Sequence, residues 1–331
     1  MLPGLEQIKD PAAAQRLAVL LEKGTLPHAM LFTGLAGVGK KDAALILAMA
    51  CNCRRSGSDP ERDLPVPCGN CPACRKIRTG VHPDIIQIRP SGSFIRIAAI
   101  RDLVHTASMK PYEARYRVAI LTDAQRMNPE AGNALLKLLE EPPEQTLILL
   151  TALQTSDLLP TIVSRCQHIR FRPLARDRLA SILTEEHGIQ QERAEVLAAA
   201  AEGSLDHALA MSQNRWEERR NGWIGAFEDL FAGPVSAKLA FSEMLAADRN
   251  NLDETLALLK TWIRDLAVYR YRPRLVVNRD LEDRIRRAGD RYSAKQLADF
   301  LTALERAQRR ISSNANPRLA LEAMTLELTD A

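Results

Sequence analysis

Two groups of residues in this 331-residue chain have the types and spacing that chemistry requires. The first is the glycine-rich stretch GLAGVGKKD, which begins at Gly34. In a loop of the pattern G-x-x-x-x-G-K-[ST], backbone N–H groups surround phosphates, the lysine contacts the outer ones, and the hydroxyl binds magnesium. The residues that fit this pattern are Gly34, Gly37, Gly39 and Lys40. Lys41 stands where the hydroxyl should be, and its positive charge would repel magnesium. The stretch therefore predicts a degenerate phosphate-binding loop, and it leaves only residual ATP binding open.

A second test of ATP hydrolysis is the apolar strand that usually ends in Asp-Glu. One of those carboxylates supports the metal ion and the other orients the attacking water. Here the strand ends in AILTDAQ, so the two positions are Thr122 and Asp123, or Asp123 and Ala124. Either alignment is one carboxylate short, and Asp123 alone is equally compatible with a solvated strand end. Lys41 in the loop and the missing second carboxylate at the strand end both predict weak or absent ATP hydrolysis.

The second group is a cluster of cysteines. Five of the six cysteines lie between positions 51 and 74. Cys68, Cys71 and Cys74 follow the spacing C-x2-C-x2-C, and Cys53 or Cys51 can supply a fourth thiolate. Four thiolates close a tetrahedral shell around Zn²⁺ and leave no position for substrate, so the expected site is structural. An iron–sulfur cluster is the minor alternative. The isolated Cys166 is interpreted as a buried packing thiol.

Composition limits the remaining function classes. The hydrophobic fraction of 46%, the charged fraction of 26% and the net charge of +4 are those of a soluble globular protein of two or three domains. No signal peptide and no membrane-spanning run are evident, so we expect a cytoplasmic protein without membrane contact. Clustered cysteines in that compartment favour metal binding over disulfides.

The order of elements predicts an α/β region followed by an all-α region. Short apolar runs alternate with helical patterns through residues 1–173, which indicates a parallel sheet covered on both faces, with the cysteine module inserted at about 51–79. From Leu174 onward the patterns are helical. We expect a small helical domain over 174–212 and a third, all-helical domain over 213–331.

Four stretches in this order closely resemble the bacterial clamp-loader subunits of the AAA+ class. They are LPHAMLFTGLAGVGK, CGNCPACRKIRTGVHPDI, NALLKLLEEPPEQTLILL and SRCQHIRF. The resemblance implies an AAA+ phosphate-loop domain with a zinc-binding insert, a helical lid domain and a C-terminal helical collar domain for oligomerisation. It also implies a complex with gamma/tau motor subunits and delta, which loads the sliding clamp of DNA polymerase III onto primer–template DNA during replication.

Three departures within that family match its delta prime class, the stator. They are Lys41, the missing second carboxylate beside Asp123, and Asp206 in GSLDHAL, where the motor subunits have an arginine. The resemblance further implies that Arg165 in SRC contacts the ATP of a neighbouring subunit, with Ser164 capping or positioning it. The chain would then have no intrinsic catalysis as a subunit of a DNA-directed DNA polymerase holoenzyme. An active gamma/tau-like ATPase and a zinc-ribbon nucleic-acid-binding protein outside replication are the alternatives.

One further motif carries possible chemistry, the segment LAVYRYRPR that begins at Leu266. Arginine alternates with tyrosine there, and such a pattern can combine base stacking with phosphate contact. The interpretation favoured by the sequence is a helix end with exposed arginines and half-buried tyrosines.

Overall fold

A computed structural model describes residues 5–24, 26–54, 67–213, 215–231, 235–248, 251–313 and 315–330. The chain forms two compact units. The first consists of Met1–Ala175 together with Gly203–Asp206, and the second of Arg176–Glu202 together with His207–Ala331. The separation of a lid over 174–212 from a collar over 213–331 remains a prediction. None of the described helices is long and apolar enough to cross a membrane.

The first unit is built on a five-stranded sheet. Its strands are β1 (Ala29–Thr33), β2 (Ile85–Ile88), β3 (Arg117–Leu121), β4 (Thr146–Ala152) and β5 (Gln167–Arg170). The spatial order is β2-β3-β4-β1-β5, and every neighbouring pair is parallel. All residues of β1, β3 and β4 are buried, as expected for continuous apolar runs in a sheet covered on both faces. The predicted parallel α/β architecture is confirmed.

Helices cover both faces of this sheet. They are α1 (Pro11–Glu22), α2 (Lys40–Asn52), α3 (Pro72–Arg78), α4 (Ile97–Ala107), α5 (Pro129–Glu140) and α6 (Pro160–Val163). Alternate residues of β1 point to opposite cores. Met30 and Phe32 pack into the core that contains α1, α2 and α3, whereas Ala29 and Leu31 pack into the core that contains α4 and α5.

The rest of the chain is helical, as predicted. The helices are α7 (Arg176–Glu185), α8 (Gln191–Ala200), α9 (Leu205–Gln213), α10 (Trp216–Leu230), α11 (Val235–Ala247), α12 (Leu252–Tyr269), α13 (Glu282–Gly289), α14 (Ala294–Ser312) and α15 (Pro317–Asp330). The long helical pattern near the C-terminus is divided into two helices. A capping box at Ser293 begins α14, and Pro317 occupies the first turn of α15, where its missing N–H costs little.

A buried carboxylate holds the loop before β3. Asp84 is fully buried, and its side chain accepts hydrogen bonds from the backbone N–H groups of Tyr112, Glu113 and Ala114 at 2.7–3.0 Å. The guanidinium of Arg117 donates to the same carboxylate at 2.9 Å. Burial acts to raise the pKa of Asp84, but these hydrogen bonds outweigh it and lower the pKa to about 2.

Replacement of Asp84 by asparagine removes this charge and leaves the Arg117 guanidinium buried without its partner. We expect the free energy of unfolding to fall by about 3–5 kcal/mol at pH 7, measured by guanidinium titration. Because the folded-state pKa is depressed, the advantage of wild type should be full above about pH 4 and should shrink as pH falls toward 2. The exposed Asp102→Asn is the control, with an expected change within about 0.5 kcal/mol. Equal effects of both substitutions would contradict the assignment.

Candidate functional site

The predicted phosphate loop connects the carboxyl end of β1 to the start of α2. Gly34, Gly37 and Gly39 have φ angles of 146°, 73° and 85°, in the region that favours glycine. The structure brings these glycines and Lys40 together in one turn, as the sequence predicts for a strand, a glycine-rich loop and a helix in succession. The loop thus has the backbone shape of a phosphate cradle.

Lys40 is bonded to its own loop. Its side-chain Nζ donates to the carbonyl oxygens of Gly34 at 2.5 Å and Leu35 at 2.6 Å, and the residue is only 8% exposed. Burial lowers the pKa of Lys40, while the negative charges of Asp123 and Asp206 act to raise it. Burial outweighs the two carboxylate charges, so the net pKa of Lys40 is lowered while its ammonium group is bonded to its own loop.

The start of α9 packs directly against the loop. The N–H of Asp206 donates to the Gly37 carbonyl at 3.5 Å. A Cβ atom on Gly37 would lie 2.2 Å from Ser204 Oγ and 2.9 Å from Asp206 Cβ, so only glycine fits there. Burial and the charge of Asp42 raise the pKa of Asp206, while Lys41 and Lys40 act to lower it. A negative charge thus lies beside the loop, where phosphate binding requires positive potential.

Asp123 follows β3 at the same edge of the sheet. It has a left-handed φ of 54°, and its N–H donates to the Thr151 hydroxyl at 3.1 Å. Its charge acts on Lys40, which places the carboxylate near the loop, as expected for a metal-supporting position. Thr122 precedes it and Ala124 follows it, so the strand end supplies one carboxylate rather than two.

Asp206→Asn should increase the affinity of the chain for ATP, because it removes a negative charge beside the loop. We expect binding about tenfold tighter, equivalent to about 1.4 kcal/mol, measured by anisotropy of a fluorescent ATP analogue with magnesium. Addition of Lys40→Ala to this variant should abolish the gain. The exposed Asp157→Asn serves as the control and should leave binding unchanged. An Asp206→Asn affinity equal to that of wild type would contradict the electrostatic argument.

Four cysteines converge between α2 and α3. The sulfur atoms of Cys53, Cys68, Cys71 and Cys74 all lie within 4.8 Å of one another. Sulfurs on a tetrahedral zinc ion with bonds of about 2.3 Å would lie about 3.8 Å apart, so the observed spacing fits such an ion. The cluster could therefore hold a metal ion.

Backbone N–H groups point at three of these sulfurs. The N–H groups of Cys68, Cys71 and Cys74 donate to the sulfurs of Cys53, Cys68 and Cys71 at 3.3–3.5 Å. Burial acts to raise the pKa of Cys71, but hydrogen bonds from the backbone and from neighbouring thiols lower it to about 6. Burial and the hydrogen bond with Cys71 raise the pKa of Cys74. Donors of this kind stabilise thiolates, the form that binds metal.

The other two cysteines lie outside the cluster. Cys51 lies in α2 and is buried in the apolar core, where burial raises its pKa to about 12. By contrast, Cys53 lies two residues further along, at the carboxyl end of α2, and its sulfur belongs to the cluster. Cys166, which the sequence predicts to be a buried packing thiol, packs against the core but is only partly buried, and burial raises its pKa to about 11. Of the two alternatives for the fourth ligand, the structure brings Cys53 into place.

Elemental analysis of purified protein should find one metal ion per chain in wild type and Cys51→Ala, and much less than one in Cys53→Ala. The physical reason is that Cys53→Ala leaves only three thiolates, which cannot complete the tetrahedral shell and therefore bind the metal ion more weakly. The two variants are matched, since both remove one buried thiol two residues apart. Metal retention by Cys53→Ala together with loss from Cys51→Ala would reverse the assignment.

Arg165 lies between α6 and β5 and is partly exposed. Its guanidinium forms an ion pair with Glu140 at the end of α5, with an Nη2–Oε1 distance of 2.7 Å. It also donates from Nη1 to the Thr161 carbonyl at 3.0 Å and to the Ser164 hydroxyl at 3.3 Å. The Arg165 and Glu140 side chains are 36% and 50% exposed. Glu140 lies within the LLEEPP segment, but nothing in the local sequence marks it as the partner of Arg165.

The sheet keeps Arg165 away from the phosphate loop of its own chain. The loop follows the carboxyl end of β1, whereas Arg165 precedes the amino end of β5, and these strands are parallel neighbours. Gln167 pairs with Met30 and Arg170 pairs with Thr33. The four residues of β5 span about 13 Å at about 3.3 Å per residue, which exceeds the reach of one arginine side chain. Arg165 therefore faces a different site from Lys40.

Comparison with known protein families gives two matches. A family described as DNA polymerase III, delta subunit, matches residues 9–175. A second, described as DNA polymerase III, delta subunit, C terminal, matches residues 213–330. The matched ranges cover both the sheet region and the C-terminal helices.

Two individual relatives agree with these matches, the delta′ subunit of Bacillus subtilis and the tau subunit of Escherichia coli. The chain is 29% identical to DNA polymerase III subunit delta′ of Bacillus subtilis over 97% of this chain and 96% of the relative. It is 37% identical to DNA polymerase III subunit tau of Escherichia coli over 59% of this chain, which corresponds to 30% of that relative. A solved structure of a DNA polymerase III gamma subunit-related protein from Thermotoga maritima covers 96% of this chain and 98% of its own, with 17% identity and a TM-score of 0.43.

Proposed function

This chain belongs to the DNA polymerase III delta subunit family, and from that membership we propose that it acts as the non-hydrolysing stator of a clamp loader. In this role it supports the loading of a sliding clamp onto primed DNA without turning over ATP at its own loop. The observation that carries the proposal is the division of chemistry between the two edges of the sheet. The loop edge has Lys41 and Asp206, whereas the opposite edge presents Arg165.

The position of Arg165 supports a role in trans. An arginine supplied across a subunit interface stabilises the negative charge that develops on a transferred phosphoryl group. Because Arg165 cannot reach the loop of its own chain, a nucleotide that it serves has to be held by a neighbour. The partners in this proposal are gamma/tau-type motor subunits and delta, together with the clamp and primer–template DNA.

Glu140 and Ser164 give Arg165 a defined but reversible position. A half-exposed ion pair contributes about 0–1 kcal/mol, so a neighbour's phosphate can replace the carboxylate at small cost. Meanwhile the Thr161 carbonyl and the Ser164 hydroxyl orient the guanidinium before that contact forms. We assign these groups as positioning residues for Arg165.

The metal in the cysteine cluster is zinc in this proposal, and its role is structural. Four thiolates form the ligand set that Zn²⁺ prefers, and they leave no open coordination position. When bound, the ion would cross-link the end of α2 to α3 within the first unit. Elemental analysis that found iron in place of zinc would contradict this assignment.

The competing function is an active ATPase of the gamma/tau type. It requires a hydroxyl in place of Lys41 and a metal-supporting carboxylate pair, and the sequence provides neither. The stator role also accommodates the helical regions as a lid over 174–212 and a collar over 213–331.

We place the protein in the cytoplasm, where replication takes place in bacteria.

Arg165→Ala should lower the DNA- and clamp-stimulated ATPase rate of a reconstituted clamp loader by at least about tenfold at the site it serves. Removal of an arginine finger costs about 10³–10⁵-fold in other phosphoryl-transfer enzymes. The measurement is phosphate release by the full complex, with each motor subunit inactivated in turn to isolate the affected site. Assembly should remain unchanged in size-exclusion chromatography.

Two further variants separate a trans role from a structural one. Arg165→Lys keeps the charge but loses the planar fork, so it should restore activity only in part. Arg101→Ala removes an exposed arginine of α4 and should have no effect. If Arg165→Ala hydrolyses ATP at the wild-type rate at every site, the trans role is wrong.

A further inference from the structure

The segment that follows α12 projects an arginine–tyrosine loop, defined here as residues 271–275 with sequence YRPRL. Tyr271 is 77% exposed and Leu275 is 51% exposed, and Arg272 and Arg274 are exposed as well. The sequence predicts half-buried tyrosines in this segment. That prediction holds for Tyr269 but is wrong for Tyr271, because α12 ends at Tyr269 and the chain turns away from the core.

A buried polar network fixes the base of this loop. Asp265 is fully buried, and its carboxylate accepts hydrogen bonds from the N–H groups of Val277 at 3.0 Å and Asn278 at 2.8 Å. The side-chain amide of Asn278 donates to it as well, at 2.8 Å. Burial of such groups costs free energy unless each is bonded, so the network restricts the chain to one geometry.

Arg220 extends the network. It is 1% exposed, donates to the Asn278 side-chain oxygen at 3.1 Å, and forms an ion pair with Asp280. On the other side of the loop, the Arg270 guanidinium donates to the carbonyl oxygens of Gly289 and Tyr292. Residues 273–275 form a single 3₁₀ turn between these anchors. The arginine–tyrosine loop is therefore an ordered projection with exposed side chains.

Positive charge accumulates around the loop. Arg279 donates to the Arg274 carbonyl at 3.0 Å, so a third guanidinium lies against the loop backbone. Arg176 donates to the Val276 carbonyl at 3.5 Å, so another guanidinium lies beside the end of the loop. Asp280 pairs with Arg220, and Asp265 is buried beneath the loop and accepts from the backbone at its base. Within the described residues, Arg272 and Arg274 take part in no ion pair.

We propose that the arginine–tyrosine loop, together with Arg279, is a binding surface for single-stranded nucleic acid. The Tyr271 ring would stack on a base, and the guanidinium groups of Arg272, Arg274 and Arg279 would contact phosphates. An exposed aromatic ring among unpaired arginines is the combination that single-strand binding surfaces use. The inference does not depend on the trans role of Arg165, because the loop belongs to the other unit of the chain.

The test is binding of a fluorescent oligothymidine of about 20 nucleotides to the purified full-length chain, followed by anisotropy at several salt concentrations. Tyr271→Ala should weaken binding by about fivefold or more, and Tyr271→Phe, which keeps the ring, should retain it. The double variant Arg272→Ala/Arg274→Ala should reduce the slope of log K against log salt by about 1.4, or about 0.7 for each lost phosphate contact. Circular dichroism melting checks that each variant is folded.

Two control variants test whether the loss of binding is specific to the arginine–tyrosine loop. Tyr112→Ala removes a tyrosine that is 86% exposed in the other unit, and Arg286→Ala removes an exposed arginine that pairs with Asp283. Neither should change binding. The proposal is overturned if the wild-type chain fails to bind at about 50 mM salt, if Tyr271→Ala binds as wild type does, or if a duplex of equal length binds as tightly. Equal competition by polyglutamate at equal charge would also overturn it and would indicate an acidic protein segment as the ligand.

Discussion

The parallel alignment of the five strands is the constraint on which the arrangement of this chain's chemistry depends. Each strand is paired in parallel with its neighbours by a regular ladder, and β1, β3 and β4 are buried on both faces. All carboxyl ends therefore meet at one edge, with Lys40 and Asp123. All amino ends meet at the other, and Arg165 precedes one of them. The direction of the strands therefore separates the phosphate loop from Arg165, because the two lie at opposite edges of the sheet.

At the loop edge, hydrogen bonds within the protein occupy the lysine of the phosphate-binding pattern. Lys40 donates to carbonyl oxygens of its own loop and lies near two carboxylates. One of these, Asp206, is held against Gly37 by tight packing at the start of α9. A phosphate entering this site would have to displace the lysine from its carbonyl partners and would also meet a negative charge. The loop has the backbone shape of a phosphate cradle, with a carboxylate packed beside it.

In both compact units, a buried aspartate carboxylate fixes the backbone of an exposed loop. In the first unit, the buried carboxylate of Asp84 accepts hydrogen bonds from three consecutive backbone N–H groups, which begin with that of Tyr112. In the second, the buried Asp265 accepts from two such groups at the base of the loop that carries Tyr271. Each carboxylate satisfies donors that no strand or helix could satisfy, and each leaves a tyrosine in solvent. These two buried acids thus fix the backbone of exposed loops.

The sequence by itself determined the features that depend on neighbouring residues. The alternation of apolar runs with helical patterns predicted the parallel sheet, the glycine-rich stretch predicted the phosphate-binding loop, and the cysteine spacing indicated a metal site. Only the tertiary structure decided between Cys53 and Cys51, because the choice depends on where α2 ends and which side of it faces the core. It also brought Asp206 to Gly37, Glu140 to Arg165, and Asn278 to Arg220. These partners are separated by tens or hundreds of residues or lie in different elements, and local propensity contains no information about them, since their contacts arise only when the elements pack.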